Sequence, residues 1–284
     1  MGAGGRLRSS LQRIAKACEA HTDQRELRLE VISELRSVLG FDAFAWLLTD
    51  PETSVGCAPL ADVPCVDELP RLIRLKYLTA LNRWTTLASE SAVSGLHDVT
   101  EGELSKSLLW REMLHEFSII DVASMVFQDR FGRWGFLDLW RTAPAGVFRP
   151  DELAFLAELS GLLTAGLRRC LAWTFIAAQS IGSPWPGPVV LLLSPDLEVL
   201  GQTPDTREYL RVLVPPGVDR APVPANAYNA AAQLLALEAG IDTNPPFARV
   251  HLAAGVWVTT RAARIGERSP PEQRNITVTI QATS

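Results

Sequence analysis

From Gly132 to Arg141 the chain reads GRWGFLDLWR, a run in which a single carboxylate stands among rings. As a strand, it would put Trp134, Phe136, Asp138 and Trp140 on one side and Gly135, Leu137 and Leu139 on the other. The aliphatic side suits packing against helices. The aromatic side has the make-up of a small-molecule cavity, apolar walls with one placed polar group, in which Asp138 would orient a donor on the ligand. The competing reading is that Asp138 pairs with an Arg or a backbone donor and that the rings are ordinary core.

Nothing comparable points to catalysis. The sequence contains no G-x-S-x-G, no G-x-x-x-x-G-K-[ST] and no G-x-G-x-x-G. The glycines of Met1-Gly2-Ala3-Gly4-Gly5 precede any strand and cannot form a dinucleotide loop. His21, His97, His115 and His251 make no HxH or HxxxH pair. A haem needs only one proximal His, which leaves His97 and His115 as candidates against the plainer reading of surface or capped residues. Cys18, Cys57, Cys65 and Cys170 lie far apart with no CxxC, so free thiols are expected rather than a metal or redox site. The chain is expected not to be an enzyme, and no motif names a cofactor, which stays unknown.

The totals agree with a globular, water-facing protein. The 284 residues are enough for two domains, and 47% hydrophobic with 21% charged residues is far from the composition of disorder. A net charge of -5 and no Lys/Arg cluster argue against nucleic-acid binding by this chain. No uncharged apolar run approaches the ~18 residues that span a bilayer, and the N-terminus lacks a secretory core, so no membrane contact and a cytoplasmic location are expected.

The elements that must position Asp138 follow from periodicity. Apolar spacing predicts a helix from Leu7 to Ala20 and a second one capped by Asp23 and ended by Gly40. Phe41 to Thr49 reads as a strand, with Val55 to Pro59 as a weak hairpin partner. Helices are expected over Asp67 to Leu87 and Ser105 to Phe117, with a weak strand or loop from Ser94 to Val99. Then comes a hairpin turning at Asp129-Arg130-Phe131-Gly132, and a long helix from Pro150 to Ala178. The Pro/Gly-rich stretch 181–188 cannot continue that helix and reads as a linker. Beyond it, two short strands meet at Ser194-Pro195-Asp196. A helix over Ala225 to Ala239 and strands over Arg249 to Ala253, Val256 to Arg264 and Asn275 to Gln281 complete the pattern. The fold class expected is α+β, two domains each with an antiparallel sheet and flanking helices.

With the hairpin placed, the first domain, residues 1–180 with its flanking helices, resembles a GAF domain over roughly 23 to 170. GRWGFLDLWR, Phe148-Arg149-Pro150-Asp151-Glu152 and the Leu-rich helix carry the likeness, and LSKSLLWREML at Leu104 to Leu114 is similar to the helix before the hairpin in one actinobacterial subgroup. The second domain, residues 189–284, looks PAS-like, a likeness that covers roughly 187 to 281 and is carried by GPVVLLLSPDLEVLGQTPDTREYL and GVWVTTRAARIG. That subgroup consists of LuxR-type transcriptional regulators, whose helix-turn-helix is not in this sequence. The resemblance implies a pocket roofed by Trp46, Tyr77, Trp84 and Trp110 above Phe136, Asp138 and Trp140. It also implies a homodimer through the flanking helices. A bilin-type Cys-His pair and the NKFDE motif of cyclic-nucleotide relatives are absent, and methionine-sulfoxide reduction by Cys57 and Cys65 is a remote alternative. The function expected is a sensory module that binds a small, mostly apolar ligand and relays it through helices, as the sensor part of a transcriptional regulator. A ligand-free dimerisation or interaction scaffold is the rival.

Overall fold

In the computed structural model, residues 3–87, 91–177, 189–206, 225–251, 257–266 and 270–283 are described. The linker expected at 181–188 lies outside them. The fold is α+β: two five-stranded antiparallel sheets, each with flanking helices. Contacts divide the chain into two compact units. One comprises Met1–Trp46, Leu60–Pro64 and Leu81–Ile176, and the other Leu47–Pro59, Cys65–Ala80 and Ala177–Ser284.

In the first unit, helices α1 (Ala3–Ala20), α2 (Gln24–Leu39) and α6 (Pro150–Ala177) pack together. A Cβ built on Gly166 of α6 would meet Cys18 Sγ at 3.0 Å and Leu27 Cδ2 at 3.3 Å, so Gly166 is what lets the three helices close up. Asp23 caps α2 by accepting from the Arg25 and Glu26 amides, and Gly40 ends it in the left-handed region at φ 64°. The sheet order is β2-β1-β5-β4-β3, with β1 Ala43–Thr49, β2 Gly56–Asp62, β3 Val93–Gly95, β4 Ile119–Asp129 and β5 Gly132–Thr142. The β4–β5 hairpin turns where expected: Asp129 Oδ1 accepts from the Phe131 amide at 2.9 Å.

Two expected helices come out shorter. The first is α3, Leu69–Leu78, and it stops before Leu81 and Trp84 because Thr79 is extended and Asn82 takes φ 51°. The other breaks at Met113 (φ -149°), leaving α5 as Leu108–Glu112 between two short 3-10 turns. The weak strand before it is β3, followed at once by the single turn α4, Leu96–Val99.

The second unit is built on the sheet β7-β6-β10-β9-β8, with β6 Val189–Leu193, β7 Val199–Gln202, β8 Phe247–His251, β9 Trp257–Arg264 and β10 Ile276–Ala282. Alternate residues Val189, Leu191, Leu193, Ile276, Val278 and Ile280 are buried, and β10 runs between β6 and β9 in register Val278↔Leu191 and Val278↔Ala262. Helix α7 (Ala225–Glu238) packs on this sheet and on α3. The 47–59 segment is fastened to β8 in the same unit. Thr53 Oγ1 donates to the Phe247 carbonyl at 2.6 Å, and Asp50 holds Arg249 through Nε at 2.8 Å and Nη2 at 3.0 Å.

Candidate functional site

Strand β5 has the two-sided character that its alternation predicts. Arg141 fixes which side is which. Its guanidinium forks onto the Glu152 carboxylate at the start of α6 (2.9 and 3.0 Å), donates to the Gly40 carbonyl at 3.0 Å and to that of Leu39 at the end of α2, and lies 3.9 Å from the Phe148 ring centroid. The Arg141 side of β5, shared with Leu137 and Leu139, is therefore the helix side. Phe136, Asp138 and Trp140 face the other way.

Along that other face the groups come in order. The Phe136 ring stacks on Trp84 at 4.4 Å and 17°, and the Arg83 guanidinium lies 4.5 Å over Trp84. Asp138 is paired with Ser124 in the ladder and accepts its hydroxyl at 2.8 Å. Trp140, opposite Val122, is 2% exposed, and its indole Nε1 has no hydrogen-bond partner among the described residues. Side chains two apart on one strand face are about 6.7 Å from each other. Asp138 thus has the Phe136–Trp84 stack on one flank and the unmatched Trp140 donor on the other. A buried N–H left unmatched costs about 1–3 kcal/mol, so this donor asks for an acceptor.

The other expected residues fall elsewhere. Trp110 is half-buried and donates Nε1 to the Ile119 carbonyl at 2.7 Å, which places it by the start of β4, the end of the ladder that Trp140 also occupies. Trp46 has its ring 5.2 Å from Phe127, and Phe127 pairs with Gly135, on the helix side. It therefore lies across the sheet from Asp138; the face that β1 presents depends on its register, which the sequence does not show. Its Nε1 is also buried and unpartnered. Tyr77 belongs to the second compact unit, where its hydroxyl accepts from the Gly56 amide at 2.9 Å. The structure gathers Trp84, Phe136, Asp138 and Trp140, with Trp110 at the end of the same ladder; Trp46 lies on the opposite face, and Tyr77 belongs to the second unit.

Residues that the sequence did not single out also shape the site. Arg83 is fully buried beside Trp84, and Ser124 holds Asp138. The signal for Ser124 was available in the parity of β4; Arg83 carried none, because an arginine in an apolar-periodic stretch reads as a solvated residue. Asp121, also buried, serves the backbone: it accepts from the amides of His97, Val122 and Phe148. His115 Nδ1 donates to the Trp110 carbonyl, 3.1 Å away. All four cysteines are buried and outside any disulfide, and burial pushes the thiols of Cys18, Cys65 and Cys170 up to about 11. Among the described residues, no group of three or more His, Cys, Asp and Glu is placed to hold a metal, and no helix is long and apolar enough to cross a membrane.

No model of a known protein family matches the sequence, and neither does any curated protein. Among solved structures, the chain is similar to the VqsR LBD domain from Pseudomonas aeruginosa at 14% identity and TM-score 0.41, over 58% of this chain and 96% of that one. It is also similar to the E. coli DhaR(N)–DhaL complex (11% identity, TM-score 0.21, 99% of this chain and 90% of that one). A third is the sensor region of a sensor histidine kinase, at 13% identity and TM-score 0.20, with 84% of each chain covered. The superpositions are loose and the identities low.

Proposed function

We propose that this chain is a non-catalytic sensory module whose first unit takes up a small, mostly apolar ligand against the aromatic face of β5. The observation that carries the reading is the unmatched indole donor of Trp140 next to the buried carboxylate of Asp138. The indole donor asks for a ligand with a carbonyl acceptor, which would lie beside Asp138, and the rings of Trp84, Phe136 and Trp110 supply apolar wall. The relay would run through one peptide bond. Trp140 meets the ligand, while Arg141, the next residue, holds the end of α2 and the start of α6. A ligand that prefers one setting of β5 biases both helices by its difference in affinity for the two settings. In this reading the chain is the cytoplasmic sensor part of a transcriptional regulator and works as a homodimer. Leu162 and Trp173 of α6 are exposed about three turns apart on one side and would supply the dimer contact.

A thermal-shift screen over apolar metabolites and fatty amides tests this. A bound compound raises the melting temperature of the wild type, and the shift is lost in Trp140→Ala and Asp138→Ala. Shifts that persist in both variants, or none at all, defeat the assignment. One observation favours the rival, a ligand-free dimerisation or docking scaffold: Trp84 already stacks on Phe136, so that end of the face is packed.

A further inference from the structure

Helix α7 reads ANAYNAAAQLLALE, and its polar residues Asn226, Asn229 and Gln233 recur at the spacing of one helix side. Gln233 is matched, its amide donating to the Asn244 carbonyl at 2.8 Å. Asn226 and Asn229 are not. Each is 1% exposed, and neither the Nδ2 nor the Oδ1 of either has a hydrogen-bond partner among the described residues. Asparagine is a poor interior helix residue, so local propensity does not explain Asn229. Burial does not explain it either. Four unmatched polar atoms at about 1–3 kcal/mol each add up to a cost as large as the whole stability of a domain.

The surroundings of Asn229 are defined within the same unit. A Cβ built on Gly56 would lie 3.1 Å from Tyr77 Oη and 3.5 Å from Asn229 Cγ, so the carboxamide sits where the start of β2 and the end of α3 meet α7. Before Glu238 at its end, α7 carries no charged residue. A carboxamide presents one donor and one acceptor in a plane, and its best complement is a planar edge with an acceptor beside a donor.

We infer that Asn226 and Asn229 form a second binding site, for a small neutral planar ligand with a cyclic-amide edge, the edge of a nucleobase or lactam. The site is independent of the β5 face and stands or falls without it. The probe is uracil, with 1,3-dimethyluracil, whose N–H groups are blocked, as the control. Side-chain NH2 resonances of Asn226 and Asn229, assigned by their loss in Asn226→Leu and Asn229→Leu, are followed by NMR in the full chain. The expected result is saturable movement of both pairs with uracil and none with the dimethyl compound. Binding should be weakened at least tenfold in Asn229→Leu and unchanged in Asp138→Ala. The inference is overturned if uracil leaves both pairs unmoved to its solubility limit, if the control moves them equally, or if exchange cross-peaks show bound water only at the two amides. It is likewise overturned if the wild type and Asn229→Leu bind uracil equally well.

Discussion

Trp140 and Arg141 are neighbours in the chain that do opposite work across one sheet. The first turns its unmatched indole N–H to the Asp138 face; the second turns its guanidinium to the helix side and pins Glu152, Gly40 and Leu39. Strand alternation makes this possible, because consecutive residues cannot share a face. It couples the candidate ligand face to the helix ends with nothing longer than a peptide bond between them.

The Arg141–Glu152 pair should be among the most sensitive points of the first unit. Its side chains are 2% and 4% exposed, and Glu152 also accepts from the Arg149 amide at 2.8 Å, closing the first turn of α6 as a capping box does. Glu152→Gln leaves a buried cation without its counter-charge and should cost about 3 kcal/mol by urea denaturation. The double variant Arg141→Met, Glu152→Leu should recover much of the loss. A Glu152→Gln protein as stable as wild type would mean that the pair is not buried as described.

Trp140→Phe removes the unmatched donor along with some ring volume. The two effects oppose one another, and the stability should stay within about 1 kcal/mol of wild type. Trp84→Ala, which unstacks Phe136, should cost about 3–5 kcal/mol. A Trp140→Phe protein as damaged as Trp84→Ala would show that the indole N–H is matched after all.

The parts of the fold that were legible are those set by local pattern. Asp23 and Gly40 bracket α2, the β4–β5 turn falls at Asp129 to Gly132, and β5 parity sorts Leu137 from Asp138, all from neighbours within a few residues. What was not legible depends on distant chain. Leu81 and Trp84 keep a helical spacing with α3, yet Asn82 at φ 51° takes them out of it. The face on which Trp46 lies is decided by the register of β1 against β5. Tyr77 belongs to a unit whose longest part begins a hundred residues later, at Ala177. Arg28 and Arg141 are buried, and each has a partner far along the chain, the Trp46 carbonyl for Arg28 at 3.1 Å and the Gly40 carbonyl for Arg141 at 3.0 Å.

The second unit should lose stability in acid through Asp50. Burial alone would raise that carboxyl, but the hydrogen bonds from the Arg249 side chain and amide and from the Glu52 amide outweigh it and hold Asp50 below its ordinary value. A depressed carboxyl contributes stability that is fully present above the unfolded value of about 3.9 and is lost as pH falls through the lower folded value. Arg249→Ala should cost about 2 kcal/mol at neutral pH, short of the ~3–5 kcal/mol of a fully buried pair because Arg249 is partly exposed. It should also flatten the loss of melting temperature below pH 4. An unchanged acid profile in Arg249→Ala would count against this pair as the cause.

Thiol reagents should find little to react with. Burial raises Cys18, Cys65 and Cys170 to about 11, so the thiolate fraction at pH 8 is small and shielded. Labelling of the native protein should follow the unfolding rate, and prompt modification of any of these three would contradict their burial.

The central claim is that a ligand bridges Trp140 and Asp138. Octanamide carries the required chain, carbonyl and N–H2, and its titration can be followed on the Trp140 indole N–H resonance, assigned by its loss in Trp140→Phe. A saturable downfield shift of that resonance is expected, with affinity about 10–100-fold weaker in Asp138→Asn, whose shape is kept and whose charge is gone. An indole resonance that stays put up to the solubility limit, or equal affinity in Asp138→Asn, would contradict it.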